Sequence, residues 1–124
     1  RRRELAARYD RLLADLPVQL PARRSGRESG WHLYAIRLDT GRCARGRAAV
    51  YTEMRAAGIG VNVHYIPVHL QPYYRKLGFK PGDFPAAEAR YAETLTLPLF
   101  YGLTDVQQDE VVVALRSALS GEGA

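Results

Sequence analysis

The chain has 124 residues, of which 47% are hydrophobic and 25% are charged, and its formal net charge is +5. These values are typical of one globular domain with its own core, and they exclude a disordered chain, a collagen and a long coiled coil. The sequence contains no run of the ~20 apolar residues that a membrane-spanning helix needs. Its single cysteine, Cys43, cannot close an internal disulfide, so we expect a cytoplasmic protein.

Positive charge is concentrated at the start of the chain. Residues 1–47 contain twelve arginines and five acidic residues, whereas residues 48–124 contain six basic and eight acidic residues. Two interpretations stay open: a solvated surface, or a patch that attracts nucleic acid or an anionic sugar phosphate. Because the chain begins at Arg1 without an initiator Met, we expect it to be part of a longer protein.

The first half of the chain predicts a helix, a strand and a second helix. Apolar residues recur at helical spacing over residues 2–15, and Pro17 ends this pattern. Residues 31–38 alternate between two faces, neither of which is polar, and therefore predict a central strand. Residues 47–57 predict a helix that ends at a left-handed cap on Gly58.

The second half predicts a strand at 60–65, a helical turn at 69–77, a helix at 83–93 and a short edge strand at 95–99. Pro67 ends the first of these because proline cannot donate a ladder hydrogen bond. Thr104 and Gln107 form a capping box that begins a last helix. The order of elements predicts an α/β (α+β) fold: a two-layer sandwich of about three strands with helices on one face.

The segment GIGVNVHYIPVHLQPYY, residues 58–74, carries the densest chemistry. It holds two of the three histidines and three of the eight tyrosines. Each of these side chains has a polar group that needs a partner, and buried packing does not require so many of them together. The composition favours a loop that faces a ligand, and a structural turn with half-exposed aromatic rings is the alternative.

Other chemical sites are less well supported by the sequence. A zinc site at His64 and His69 would need a third ligand, and the remaining histidine, His32, is expected to be a hydrogen-bonded core or edge residue. Cys43 lies in an Arg-rich loop without a nearby acid to orient a histidine, which argues against a cysteine hydrolase. We therefore predict no metal ligands and no catalytic residue within this chain.

Three stretches together resemble the C-terminal part of the DegT/DnrJ/StrS family of sugar-nucleotide aminotransferases. They are RRRELAARYDRLLADLP, WHLYAIRLD and GIGVNVHYIPVHLQPYYRKLGFKPGDFPAAEARYAETLTLPLFYGLT, in the order that the family has them. The resemblance covers about residues 2–119. It is strongest to the branch that acts on UDP-4-keto-6-deoxy-N-acetylhexosamines in pseudaminic acid synthesis.

This resemblance implies the aspartate-aminotransferase (PLP fold type I) architecture and the cofactor pyridoxal phosphate. The family's large domain carries the Schiff-base lysine and most phosphate contacts, and its motifs are absent here. Residues 1–119 would then be the small C-terminal domain and residues 120–124 a frayed tail. Lys76 and Lys80 lie in polar turn segments, so we predict no cofactor-binding residue and no transamination by this piece alone.

The resemblance also identifies candidate substrate-binding residues. The stretch that touches the sugar nucleotide in the closest relatives corresponds to Tyr65, Ile66, Pro67 and Val68, and His69 is adjacent to it. We expect these residues to recognise the substrate and not to transfer protons. Phe100 is a weaker candidate for the same cleft, because Phe100 and Tyr101 also fit a turn that packs on the last helix.

The implied parent enzyme moves an amino group from an amino acid, expected to be glutamate, to a 4-keto-6-deoxy nucleotide sugar in surface polysaccharide or glycan biosynthesis. Its mechanism would be ping-pong through pyridoxamine phosphate, and it would be a homodimer. One alternative is a free-standing basic α/β module that binds RNA or a phosphorylated ligand, although the aromatic spacing of an RRM and the GXXG of a KH loop are missing. Another is a truncated gene product kept for dimerisation or regulation.

Overall fold

The structure, a computed structural model, describes residues 1–121. Its α-helices are α1 (Arg2–Leu12), α2 (Arg47–Ala56), α3 (Pro72–Lys76), α4 (Pro85–Glu93) and α5 (Asp105–Ser120). Its strands are β1 (Val18–Gln19), β2 (Tyr34–Leu38) and β3 (Thr94–Leu97), and a short 3₁₀ helix covers Val68–Leu70. None of the helices within this range combines the length and the apolar character needed to cross a membrane.

The strands form one antiparallel sheet in the order β1-β2-β3. Tyr34 pairs with Leu97 and Ile36 with Leu95, while Val18 pairs with Leu38 on the other side of β2. The central position predicted for the strand within residues 31–38 is therefore confirmed. The predicted α/β (α+β) class with a three-stranded sheet and a helical layer is also confirmed.

One face of the sheet forms the core together with α1, α2 and α5. Tyr34, Ile36 and Leu38 alternate along β2 and are all buried on this face. The Tyr9 ring of α1 lies 4.8 Å from the Tyr34 ring, and its hydroxyl donates a 2.9 Å hydrogen bond to the Pro98 carbonyl oxygen. Burial raises the pKa of both phenols, so they stay protonated at any physiological pH.

The last helix begins as the sequence predicts. The Thr104 hydroxyl accepts from the Gln107 backbone N–H, and the Gln107 side chain accepts from the Thr104 backbone N–H. Gly121 caps the other end with φ +80°. Of the tail predicted to fray, residues 120–124, Ser120 ends α5 and Gly121 caps it, while residues 122–124 lie outside the described residues.

The predicted strand at 60–65 is wrong. This segment makes one isolated bridge, between Asn62 and Thr96, because the chain meets β3 at one residue and then departs from it. The third strand of the sheet is instead β1, which the sequence analysis did not predict. Two residues are too short to show the alternation by which strands are recognised.

Several predicted boundaries shift by a few residues. The first helix ends at Leu12 and not at residue 15, and the predicted strand at 31–38 begins only at Tyr34. The helical turn expected over residues 69–77 is divided into the 3₁₀ helix and α3. Gly58 has φ +79°, which confirms the left-handed end predicted for α2.

Candidate functional site

The predicted substrate loop, residues 65–68, begins at an anchor on β3. Asn62 and Thr96 exchange two backbone hydrogen bonds, 3.1 Å from Asn62 N–H and 2.8 Å from Thr96 N–H. Two residues later, His64 Nδ1 lies 3.0 Å from the Thr96 hydroxyl oxygen. The His64 ring then packs edge-on against Tyr65 with 4.6 Å between ring centroids. The chain therefore enters the loop held by β3 through both backbone and side chain.

Within the substrate loop, three side chains point outward and one points inward. Tyr65 is 70% exposed, Ile66 48% and Val68 61%, whereas Pro67 is buried. The Leu70 N–H donates to the Pro67 carbonyl oxygen at 2.9 Å, which begins the 3₁₀ helix. Pro67 therefore fixes the turn, and the loop exposes a phenol and two aliphatic side chains on its outer side.

His69 differs from its neighbours because its ring is buried, with 6% exposure. Its Nε2 lies 2.8 Å from Glu88 Oε1 of α4, and its ring centroid lies 4.8 Å from that of Phe84. The imidazole is thus enclosed behind the loop, while Tyr65 is presented on its outer side. Contact between His69 and a substrate remains a prediction.

Glu88 is the partner that sequence reasoning missed. Its Oε1 accepts from His69 Nε2 and also from the backbone N–H of Gly82, at 2.8 Å each. These two hydrogen bonds, with that to His69 the stronger influence, hold the pKa of Glu88 below its usual value. Glu88 and His69 are nineteen residues apart, and no local spacing pattern in the sequence indicates such a pair.

An open, mainly apolar groove lies beside the substrate loop. We call it the aromatic groove; it is lined by Val68, His69, Tyr74, Phe79, Phe84 and Ala87. The rings of Phe79 and Phe84 lie 6.0 Å apart, and those of Tyr74 and Phe79 lie 6.3 Å apart. Because Val68 belongs to both and His69 follows it directly, the groove and the substrate loop form one continuous surface.

His64 and His69, the two candidate metal ligands, each contact a different partner. His64 contacts Thr96 and His69 contacts Glu88. Within residues 1–121, no group of three His, Cys, Asp or Glu side chains is arranged to hold a metal ion. The prediction that His32 is a hydrogen-bonded core or edge residue is wrong: it lies outside the strands, and it is exposed.

The other residues that the sequence analysis considered lie away from the substrate loop. Cys43 is buried, and its Sγ lies 3.7 Å from the Leu119 carbonyl oxygen at the end of α5. Phe100 is 47% exposed and lines a separate depression with Ile59 and Pro98 beside α5, and Tyr101 is 77% exposed. The structure therefore does not bring Phe100 to the substrate loop.

Six of the twelve arginines in residues 1–47 are paired with acids. These are Arg1, Arg3, Arg8, Arg23, Arg37 and Arg45. Arg1 contacts Asp105 of α5 at 2.7 Å, and Arg8 contacts Asp109 at 2.9 Å. The excess of positive charge that the composition shows is thus partly neutralised by acids from the second half of the chain.

Comparison with known proteins connects this structure to one family. The model of the DegT/DnrJ/EryC1/StrS aminotransferase family matches residues 1–116. The spore coat polysaccharide biosynthesis protein SpsC of Bacillus subtilis (strain 168) is 36% identical in an alignment that covers 98% of this chain and 32% of SpsC.

Solved structures share the fold. Spr1654 of Streptococcus pneumoniae, assigned as a sugar aminotransferase and solved in PLP and PMP forms, superposes with a TM-score of 0.88 at 31% identity, covering 97% of this chain and 30% or 31% of Spr1654. Helicobacter pylori PseC, an aminotransferase of pseudaminic acid biosynthesis, has the same fold, with a TM-score of 0.84 at 23% identity over 97% of this chain and 32% of PseC.

The chain spans about a third of the length of these relatives. The family model, in contrast, matches most of this chain, from residue 1 to residue 116. The chain therefore belongs to the DegT/DnrJ/EryC1/StrS aminotransferase family.

Proposed function

We propose that the complete protein containing this chain is a PLP-dependent transaminase. It moves an amino group from an amino acid, glutamate, to the 4-keto group of a 6-deoxy nucleotide sugar. This chain supplies part of the substrate cleft through Tyr65, Ile66, Pro67, Val68 and His69, and the chemical step takes place in the part of the enzyme outside residues 1–124. The proposed enzyme works in the cytoplasm as a homodimer.

The observation that carries this proposal is the outward-facing substrate loop. Tyr65, Ile66 and Val68 are exposed, although the backbone on either side is held by Thr96 and by the buried His69. A phenol hydroxyl can hydrogen-bond sugar hydroxyls or a diphosphate, and aliphatic side chains can pack on a sugar or base face. An exposed loop that is held at both ends and carries polar and apolar groups suits recognition of a nucleotide sugar better than packing within this chain.

When it is bound, pyridoxal phosphate supplies the chemistry that transfers the amino group. The PLP and PMP forms of Spr1654 support its use in this family. The residues of this chain do not fit its attachment. Lys76 and Lys80 are both exposed, so neither has the apolar surroundings that lower the pKa of a Schiff-base lysine. We assign cofactor attachment to the missing large domain, and we expect none bound to this chain alone.

For the acceptor sugar, we propose a UDP-linked 4-keto-6-deoxy-N-acetylhexosamine. The support is the sequence resemblance to the pseudaminic acid branch, together with the likeness to SpsC, which is named for spore coat polysaccharide biosynthesis. The likeness to PseC, at 23% identity, concerns the fold alone. An assay of different keto sugars therefore has to identify the acceptor. The product would be a 4-amino sugar nucleotide for surface polysaccharide or glycan synthesis.

The test uses the complete gene product, loaded with pyridoxal phosphate and supplied with glutamate and the UDP-keto sugar. We expect the 4-amino sugar and 2-oxoglutarate to appear in equal amounts, as measured by mass spectrometry and a coupled assay. dTDP-linked keto sugars should be poorer acceptors. A protein that carries the cofactor yet aminates neither UDP- nor dTDP-keto sugars would contradict the proposal.

Tyr65 tests the contribution of this chain directly. Removing one hydrogen bond costs about 1 kcal/mol, so Tyr65→Phe should raise KM for the nucleotide sugar roughly fivefold and leave KM for glutamate unchanged. Tyr101→Phe is the matched control, because Tyr101 is also exposed but lies outside the loop. If Tyr65→Phe and the wild-type enzyme have equal KM values for the nucleotide sugar, the Tyr65 hydroxyl does not bind the substrate.

A further inference from the structure

Glu88 joins three parts of the chain at one oxygen atom. Its Oε1 accepts from His69 Nε2 in the 3₁₀ helix and from the backbone N–H of Gly82 in the turn before α4, at 2.8 Å each. An ionised carboxylate only accepts hydrogen bonds, so His69 Nε2 must carry a proton in this pair. One side chain of α4 thus connects that helix to the turn before it and to the segment that follows the substrate loop.

The His69 ring is fixed from two sides. Glu88 holds its Nε2 edge, and the Phe84 ring packs 4.8 Å away from it. The His69 side chain, which lines the aromatic groove, is 7% exposed, whereas the Glu88 side chain is 25% exposed. A buried imidazole with an ionised partner is costly to displace, because the carboxylate and the ring would both lose a strong hydrogen bond.

This pair forms the second of two anchors for the substrate loop. The first is at Thr96, which holds Asn62 and His64 before the loop. The second is at Glu88, which holds His69 immediately after Val68. Between the two anchors, Tyr65 and Val68 face outward, and Tyr65 packs against the ring of His64 at the first anchor. The position of those side chains therefore depends on both ends being held.

We propose that Glu88 is a positioning residue for the nucleotide sugar, acting through His69 to hold the substrate loop in its binding conformation. This inference rests on the proposed function, because it assumes that the loop contacts the sugar nucleotide. It extends that function to a residue outside the loop, on a different helix. Glu88 touches neither substrate nor cofactor in this role.

The role predicts a specific kinetic pattern in the complete enzyme. Glu88→Ala removes the acceptor and should raise KM, and the Kd measured by calorimetry, for the UDP-keto sugar by about tenfold, since small misplacements of binding groups are costly. The donor half-reaction, followed by the cofactor's absorbance change when glutamate is added alone, should keep its rate. A purely structural defect would lower both half-reactions together.

Conservative variants separate the hydrogen bond from charge and volume. Glu88→Gln keeps an acceptor oxygen at the same distance and should bring KM for the sugar to within about threefold of wild type, as expected for a neutral acceptor. Glu88→Asp keeps the charge but is one methylene too short, so it should resemble Glu88→Ala. If Glu88→Ala does not fold, the comparison of Glu88→Asp with Glu88→Gln decides the question.

Glu53→Ala is the matched control. Its carboxylate pairs with Arg45 at 2.7 Å and is 23% exposed, close to the values for Glu88, but it lies on α2 away from the substrate loop. It should leave KM for the sugar unchanged. The inference is overturned if folded Glu88→Ala or Glu88→Asp binds the sugar like wild type, or if both half-reactions fall equally. If the wild-type enzyme aminates no nucleotide sugar, the proposed function is wrong, and this inference, which rests on it, is wrong as well.

Discussion

Thr94 and Thr96 lie two residues apart on β3 and on the same face of the sheet, but they differ in their hydrogen bonding. Both are buried, with 2% and 5% exposure. The Thr96 hydroxyl lies 3.0 Å from His64 Nδ1, whereas the Thr94 hydroxyl has no hydrogen-bond partner within the described residues. Two chemically identical side chains on one strand thus have opposite energetic roles.

Replacing each threonine by valine should therefore give opposite results. Thr96→Val removes the partner of His64 and should lower the free energy of unfolding by about 1 kcal/mol. Thr94→Val removes a buried hydroxyl without a partner and should be neutral or stabilising by up to about 1 kcal/mol. Urea unfolding of the two variants measures both effects. Equal losses in the two variants would show that the His64 contact contributes nothing.

The core depends on the inner face of α5. Leu115 is fully buried, so Leu115→Ala should cost about 2–5 kcal/mol through lost burial and the cavity that remains. Val113 lies on the same helix and is 66% exposed. Val113→Ala should therefore change stability by less than about 0.5 kcal/mol. Thermal or urea unfolding gives both values, and a small loss for Leu115→Ala would contradict this packing.

Acid should destabilise the protein through its paired carboxylates. Hydrogen bonds from Arg1 and Arg116 lower the pKa of Asp105 and Asp15, and one from His69 lowers that of Glu88. A lowered pKa in the folded state means that the unfolded chain takes up protons first as pH falls. The stabilisation is complete above the carboxyls' usual pKa values of about 4 and is lost as pH falls through the lowered ones.

Unfolding measured from pH 7 to pH 3 tests this expectation. Asp15→Asn and Asp105→Asn should each make the dependence on pH less steep, because each removes one of the groups that titrates differently in the two states. Glu110→Gln, at an exposed position of α5, serves as the control. Identical pH profiles for the wild type and the two Asn variants would contradict the assignment.

The pairing of arginines with acids predicts weak binding of RNA. Arg1, Arg8 and Arg23 contact Asp105, Asp109 and Asp10, which reduces the charge available to a polyanion. Fluorescence anisotropy with a single-stranded RNA at about 50 and 200 mM salt should show no tight binding, in contrast to binding of the UDP-sugar by the complete enzyme. Low-micromolar RNA binding that falls steeply with salt would favour the alternative of a basic binding module.

The helices show what local sequence by itself determined. α5 begins at a capping box of Thr104 and Gln107, and α2 ends before Gly58, because caps depend on residues within a few positions of one another. The apolar repeat of a helix is equally local, so the buried face of α5 could be read directly. The histidines and tyrosines within residues 58–74 also indicated an exposed loop, because they lie close together in the sequence. The role of that loop in substrate binding stays a prediction.

Only the tertiary structure decided which strands pair and which side chains contact each other. Residues 60–65 alternate like a strand, but a strand exists only where a neighbour supplies its backbone hydrogen bonds. Here the backbone of the segment pairs with β3 only in an isolated bridge at Asn62. His69 looked like part of the exposed loop, yet Glu88 and Phe84 enclose it. Contacts across many residues depend on how the helices pack on the sheet, and no local pattern encodes that geometry.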